Sequence, residues 1–282
     1  MKIKLIALFL LALAAACTSQ KRISPIEVTT LRCEYLPNPV GMDVLNPRLS
    51  WQMKKDLPGA SQTAYRILVA TSAEELSKNS GDLWDTGKID SDQSTQVAYA
   101  GKPMKSGEKV FWKVQIWDET KSESTWSTVS EWEMGLLNAT DWQAKWIGAP
   151  ASLTTGDLKH AAPLFRKELN LLKKVKKASV YISGLGYYEL YINGTKIGDH
   201  VLSPNQTNYD RQKVEKWEES RIGNMTSTVL YETFDITASL KEGGNALGVI
   251  LGNGWYLQAD RPNDTMLWYD TPRLMAQFKI EY

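Results

Sequence analysis

Histidine and cysteine are nearly absent from this sequence: its 282 residues hold two of each. A Ser-His-Asp triad or a histidine-built metal site needs imidazole groups in a defined arrangement, and neither His160 nor His200 lies in a motif that supplies one. An excess of charge is missing too. Lys plus Arg number 33 against 32 Asp plus Glu, a formal net charge of +1. A chain that neutralises many phosphates needs a basic face, so nucleic acid is not an expected partner. The basic run Lys173, Lys174, Lys176 and Lys177 is expected to solvate a loop or protect a sheet edge. Repeats and low-complexity tracts are absent, which excludes solenoids and leaves room for about two ordinary domains. Phenylalanine is scarce, with 5 residues against 11 Trp and 12 Tyr. Trp and Tyr join an apolar face to a polar tip, which suits sandwich cores and sugar-facing surfaces alike.

The one long apolar run is at the start. Lys2 and Lys4 precede an unbroken apolar stretch over residues 5–16, followed by Cys17. That stretch is shorter than the ~20 residues a membrane-spanning helix needs, so it reads as a signal peptide. Small residues leading into a cysteine resemble a bacterial lipoprotein signal, which implies cleavage over residues 1–17 and lipid on Cys17. The expected location is the cell envelope, with a membrane contact through that lipid anchor. Cys33 is then left without a disulfide partner, and beside Leu31 and Tyr35 it is expected at a half-buried strand position as a small hydrophobe.

The rest predicts an all-β chain of two antiparallel sandwiches, over residues 24–137 and 138–282. In the first, short strands are expected at 29–33, 49–53, 65–70, 96–99, 110–118 and 127–133. Along 110–118, Val110, Trp112, Val114 and Ile116 share one face while Phe111, Lys113, Gln115 and Trp117 share the other. That alternation marks a strand buried mainly on one side. In the second, strands are expected at 164–169, 178–183, 187–192, 195–197, 228–236, 246–251 and 274–282. Asn193-Gly194 supplies the positive φ values of a two-residue hairpin turn.

Several strings resemble bacterial α-L-rhamnosidases, in that family's order. They include Asn38-Pro39-Val40-Gly41 leading to Leu49-Ser50-Trp51, Gly81-Asp82-Leu83-Trp84, Asp141-Trp142-Gln143-Ala144-Lys145-Trp146-Ile147-Gly148, Tyr187-Tyr188-Glu189-Leu190-Tyr191-Ile192-Asn193-Gly194 and Gly252-Asn253-Gly254-Trp255-Tyr256. The resemblance implies a fibronectin type III-like sandwich, with Trp51 in its core. A galactose-binding-like jelly roll, the family's N-terminal domain, follows and is expected to be incomplete at its C-terminus. A charged stretch at 212–227 departs from the family and reads as a surface insertion.

The resemblance implies inverting hydrolysis of terminal α-L-rhamnosides in plant-type glycans or glycosides. Two carboxylates about 6.5–9.5 Å apart would act, in a helical barrel downstream of these domains. No catalytic residue is therefore assigned within this chain, and the catalytic domain is expected to be missing from it. Sugar recognition requires aromatic faces together with Asp or Asn groups. Tyr187, Tyr188, Asp199, Asn253, Trp255 and Tyr256 supply those types. Gly252 and Gly254 equally fit a plain turn, with Trp255 in the core. Some relatives imply calcium beside rhamnose, and Asp199, Asn205, Asn208 and Asp210 offer oxygen ligands. The competing expectation is a non-catalytic surface lipoprotein that binds glycans.

Overall fold

The computed structural model describes residues 23–55, 58–150, 162–207, 209, 228–257 and 269–282. Cys17 and its leader, Asn208, Asp210 and the 212–227 stretch lie outside them. The chain forms two compact units. The first takes Met1–Pro39, Val44–Pro103 and Lys109–Trp132; the second takes Val40–Asp43, Met104–Glu108 and Glu133–Tyr282.

In the first unit, β1 (Glu27–Cys33) and β3 (Arg48–Lys54) pair antiparallel, with Val28 opposite Met53, and β7 (Val97–Ala98) completes a three-stranded sheet. The facing sheet centres on β4 (Gln62–Ala70) and β8 (Lys109–Asp118), which pair antiparallel. Two-residue strands β5 (Trp84–Asp85) and β6 (Ile89–Asp90) flank β4, and β9 (Ser130–Met134) flanks β8. The expected alternation on β8 holds: Val110, Trp112, Val114 and Ile116 are all fully buried. Trp51, Trp112 and Trp132 fill the core between the sheets; truncating one to alanine costs about 3–5 kcal/mol. Trp51 meets Tyr65 edge-on and donates its indole N–H to Gln62 Oε1 at 2.9 Å.

Lys113 departs from the pattern. It points to the outer face of β8 yet is buried, because a five-residue helix α1 (Ala73–Ser77) and Trp126 cover it. Ser72 caps α1 by accepting the Glu75 N–H, and Glu74 and Glu75 sit favourably in its first turn. Lys113 Nζ donates to the Leu76 carbonyl and to Asn79 Oδ1, both at 2.6 Å, so a helix too short to hold itself is tied to the sheet. Cys33 is also more enclosed than expected, at 1% exposure.

The second unit stacks two four-stranded sheets. One runs β10-β17-β12-β15, from β10 (Ile147–Gly148), β12 (Lys177–Leu185), β15 (Glu232–Asp235) and β17 (Arg273–Glu281). The other runs β11-β16-β13-β14, from β11 (Leu164–Leu171), β13 (Tyr187–Ile192), β14 (Thr195–Lys196) and β16 (Gly243–Gly252). The short strand β2 (Val40–Met42) lies parallel to the end of β9, with Val40 opposite Glu133. Asn193 and Gly194 take φ values of 53° and 83° and close the β13–β14 hairpin. Val180, Ile182, Leu190, Ile192, Val249 and Leu251 form the core between the sheets. On the opposite face of β12, Tyr181 meets Trp142 and Tyr231 edge-on, and Ser179 faces Glu133. That strand is therefore buried on both sides. Along one edge the sheets part to leave an apolar cleft of about 570 Å³, lined by Phe165, Leu169, Val249, Phe278 and Ile280.

Candidate functional site

A polar concave surface of the second unit lies beside β15, the last strand of its sheet, and is lined in part by residues of the 199–205 segment. Leu230, Glu232 and Phe234 alternate onto one side of the strand. Phe234 packs on the core, so Glu232 places a carboxylate on the core-facing side. Three groups converge on it. The Tyr188 hydroxyl donates to Oε2, Ser203 Oγ donates to Oε1 at 3.0 Å, and His200 Nδ1 lies 2.7 Å from Oε1. Burial first, and then the hydrogen bond to Glu232, pushes the Tyr188 hydroxyl far above its ordinary value, so it remains a donor.

Backbone contacts hold the 199–205 segment in place. The Tyr188 N–H donates to the Ser203 carbonyl at 2.8 Å, joining the segment to β13. Gly198 has φ +74°, and a Cβ there would stand 2.7 Å from the Phe234 ring, so only glycine lets the chain lie this close to the core. The His200 ring packs 5.6 Å from the Phe234 ring, centroid to centroid. Together these elements bound a cleft of about 590 Å³, whose walls include Asp199, His200, Asn205, Leu230 and Glu232.

The six residues named from sequence fall on two surfaces. Tyr188 and Asp199 belong to the Glu232 cleft. Tyr187 is the neighbour of Tyr188 on a strand, so it faces the opposite way. Its ring packs over Gly254, where a Cβ would come within 2.8 Å of Tyr187 Cδ2. Asn253, Trp255 and Tyr256 lie at the same turn, after β16. There the Asn253 carbonyl accepts the N–H of Tyr256 at 3.2 Å, and Tyr256 stacks on Tyr269 at 5.5 Å with Tyr209 edge-on to both. Tyr256 is buried, whereas Trp255 is 40% exposed and so is not a core residue. Sequence reasoning gave no place in the site to Glu232, His200 or Ser203. A carboxylate sharing a strand face with Phe234 was the available signal.

Of the oxygen ligands considered for calcium, Asp199 and Asn205 share the Glu232 cleft. Among the described residues, no group of three or more His, Cys, Asp or Glu side chains is placed to hold a metal ion.

Comparison with known proteins gives concordant results. Residues 28–138 match the family model described as the Rha78A-like, N-terminal immunoglobulin domain. Residues 173–217 and 219–282 match the alpha-L-rhamnosidase N-terminal domain. An alpha-L-rhamnosidase of Formosa agariphila is 36% identical over 309 residues, covering 100% of this chain and 31% of the relative. One from Alteromonas sp. is 34% identical, covering 95% of this chain and 28% of the relative. The chain thus spans about a third of the length of these curated relatives. Among solved structures, the alpha-L-rhamnosidase from Dictyoglumus thermophilum superposes with a TM-score of 0.77 at 38% identity, covering 94% of this chain and 28% of that one. The Streptomyces avermitilis alpha-L-rhamnosidase complexed with L-rhamnose gives 0.76 at 25% identity, covering 91% and 39%.

Proposed function

The chain belongs to the α-L-rhamnosidase family as its N-terminal part, and from that premise we propose that it is the non-catalytic scaffold of an enzyme releasing terminal α-L-rhamnose from glycans or glycosides. One observation carries this: two rhamnosidase N-terminal domains, matched in order, account for most of the chain, while the chain spans about a third of its relatives. The site chemistry agrees. A general acid needs a carboxyl group that can hold and release a proton. Glu232 instead has three groups directed at its two oxygens, which tie it into the structure around it. Incubating the purified chain with a chromogenic α-L-rhamnoside is the test. No release above a blank preparation is expected, and measurable turnover would place a reaction centre in these two units.

Within that scaffold the second unit contributes sugar contact. The support is its cleft of carboxylate, imidazole and amide groups, together with the exposed Trp255. A monosaccharide buries little area, so the whole chain is expected to bind L-rhamnose with a dissociation constant on the order of micromolar to millimolar. Calorimetry with and without calcium measures this, and an affinity unchanged by calcium would remove the metal from the scheme. The chain is further proposed to be exported and anchored in the bacterial cell envelope by lipid on Cys17, supported by the basic start and apolar run before it. Membrane fractionation of Cys17→Ala tests the anchor; a variant that is processed and fractionates like the parent would dismiss it. A lipoprotein that binds glycans without any catalytic partner is the alternative. Reading the gene past the Tyr282 codon separates the two.

A further inference from the structure

We propose that the apolar cleft along one edge of the second unit is a docking groove for an extended segment of a partner polypeptide, apolar at alternate positions and carrying a carboxylate among them. Two edge strands bound it. β17 pairs with β12 along its whole length, whereas β10 covers its other side only at Arg273 and Leu274. Among the described residues, 275–281 therefore present a strand edge without a neighbouring strand, a template for one more. β11 is the last strand of the facing sheet. A strand added to β17 turns every second side chain into the cleft, with Phe278 and Ile280 on one wall and Phe165 and Leu169 on the other. β15 ends the same sheet on its far side, so this groove and the Glu232 cleft lie at opposite edges.

Apolar contact alone would admit any hydrophobic strand, and charge narrows the choice. Among the described residues, the charged side chains lining the cleft are Lys145, Arg166 and Lys167, all cationic. Arg166 is engaged by Glu168 at 2.5 Å. Lys167 stands opposite Leu247 in the β11–β16 ladder, so it belongs to the row of Phe165 and Leu169 that faces the core. It is nonetheless exposed, at the open edge of the cleft. An inward charge on an edge strand turns away mismatched neighbours. A second copy meeting this edge through its own cleft would set Lys145 and Lys167 against their equivalents, like charge against like. A strand with Asp or Glu among its apolar residues supplies the counter-charge instead, beside walls that screen the attraction less than water does.

The test adds a blocked seven-residue peptide, Thr-Val-Thr-Glu-Thr-Val-Thr, to the whole chain; its Val and Glu side chains share one face when extended. Calorimetry gives the affinity, and hydrogen exchange read by mass spectrometry gives the place. Binding is expected with a dissociation constant on the order of micromolar to millimolar. Amide exchange over residues 275–281 is expected to slow about tenfold. The same peptide with Lys in place of Glu is expected to bind about tenfold more weakly. In Lys167→Glu that order reverses, and the Lys peptide becomes the tighter one. Lys145 and Lys167 are both exposed, so Lys145→Glu gives the same reversal if Lys167→Glu misfolds. No binding by the folded chain at millimolar peptide, or binding without slowed exchange over 275–281, overturns the groove. Equal affinity for the two peptides in the parent and in both variants overturns the acidic partner. A chain that sediments as a dimer, with 275–281 protected before any peptide is added, puts a second copy in the cleft and overturns it too.

Discussion

Lys177 Nζ lies 2.9 Å from Oε2 of Glu133, a carboxylate that is almost wholly enclosed within the second unit. Ser179 Oγ donates to the other oxygen at 3.3 Å. Removing one partner of such a pair leaves an uncompensated buried charge. Glu133→Ala is therefore expected to lower stability by about 3 kcal/mol, the low end for a buried pair because Lys177 keeps some contact with water. The double change Glu133→Leu with Lys177→Met should recover most of that loss. Urea denaturation followed by tryptophan fluorescence compares the three, and equal destabilisation by single and double changes would show that shape, not charge, matters here.

Lys113 titrates abnormally. Burial first, and then the nearby Arg66 charge, holds its ammonium below the ordinary lysine value of 10.5. The folded state disfavours the charged form, and that penalty is complete below the lowered native value. It is relieved as pH rises from there towards 10.5, so Lys113 adds stability with rising pH across that window. Lys113→Met should abolish that contribution. At neutral pH the same change strands the Leu76 carbonyl and Asn79 and is expected to cost about 1–3 kcal/mol. Thermal melts of both proteins from pH 7 to 10 provide the measurement.

Cys33 runs the other way. Burial, helped by the charge on Glu34, pushes its thiol up from 9.0 to about 12. An unfolded chain ionises this thiol first, so its contribution to stability is complete below about 9 and is lost as pH climbs towards 12. The slope is at most about 1.4 kcal/mol per pH unit. Iodoacetamide at pH 8 is expected to leave Cys33 unlabelled in the native chain and to label it in urea. Peptide mass spectrometry reads both states; native labelling at the unfolded rate would show that the first sandwich opens readily.

Glu232→Leu removes the acceptor that Tyr188, Ser203 and His200 share. A loss of about 2–4 kcal/mol is expected. Glu232→Gln should restore most of it, because the amide oxygen can face Ser203 and His200 while the Tyr188 hydroxyl turns to accept from the amide nitrogen. Equal melting temperatures for the Leu and Gln variants would mean that the carboxylate is not what pins residues 198–205.

Much of the fold could be read from local pattern. The alternation along 110–118 and the Asn193-Gly194 turn each specify their own geometry, and the structure has both. Strands β2, β5, β6 and β10 escaped because two or three residues carry no period; their partners define them. Helix α1 escaped for the same reason. Lys113 misled, since alternation assigns a side but cannot tell that a distant helix covers it. The site was the least legible part. Tyr188 and Glu232 are 44 positions apart and His200 and Glu232 are 32 apart. Their meeting depends on how β13, β15 and the 199–205 segment assemble. Tyr187 and Tyr188 look like one motif in the sequence, and a strand's two-residue period sends them to different surfaces.

The second unit gathers Val40–Asp43 and Met104–Glu108 from within the stretch that otherwise builds the first, and joins them to Glu133–Tyr282. In genetic terms it has no single pair of ends. A recombination breakpoint anywhere between residues 44 and 132 would divide it, and one placed after Glu133 would carry off Lys177 without its counter-charge. Neither sandwich can be shuffled into another gene by one clean exchange. On this wiring the two are expected to pass between genes together, as one cassette.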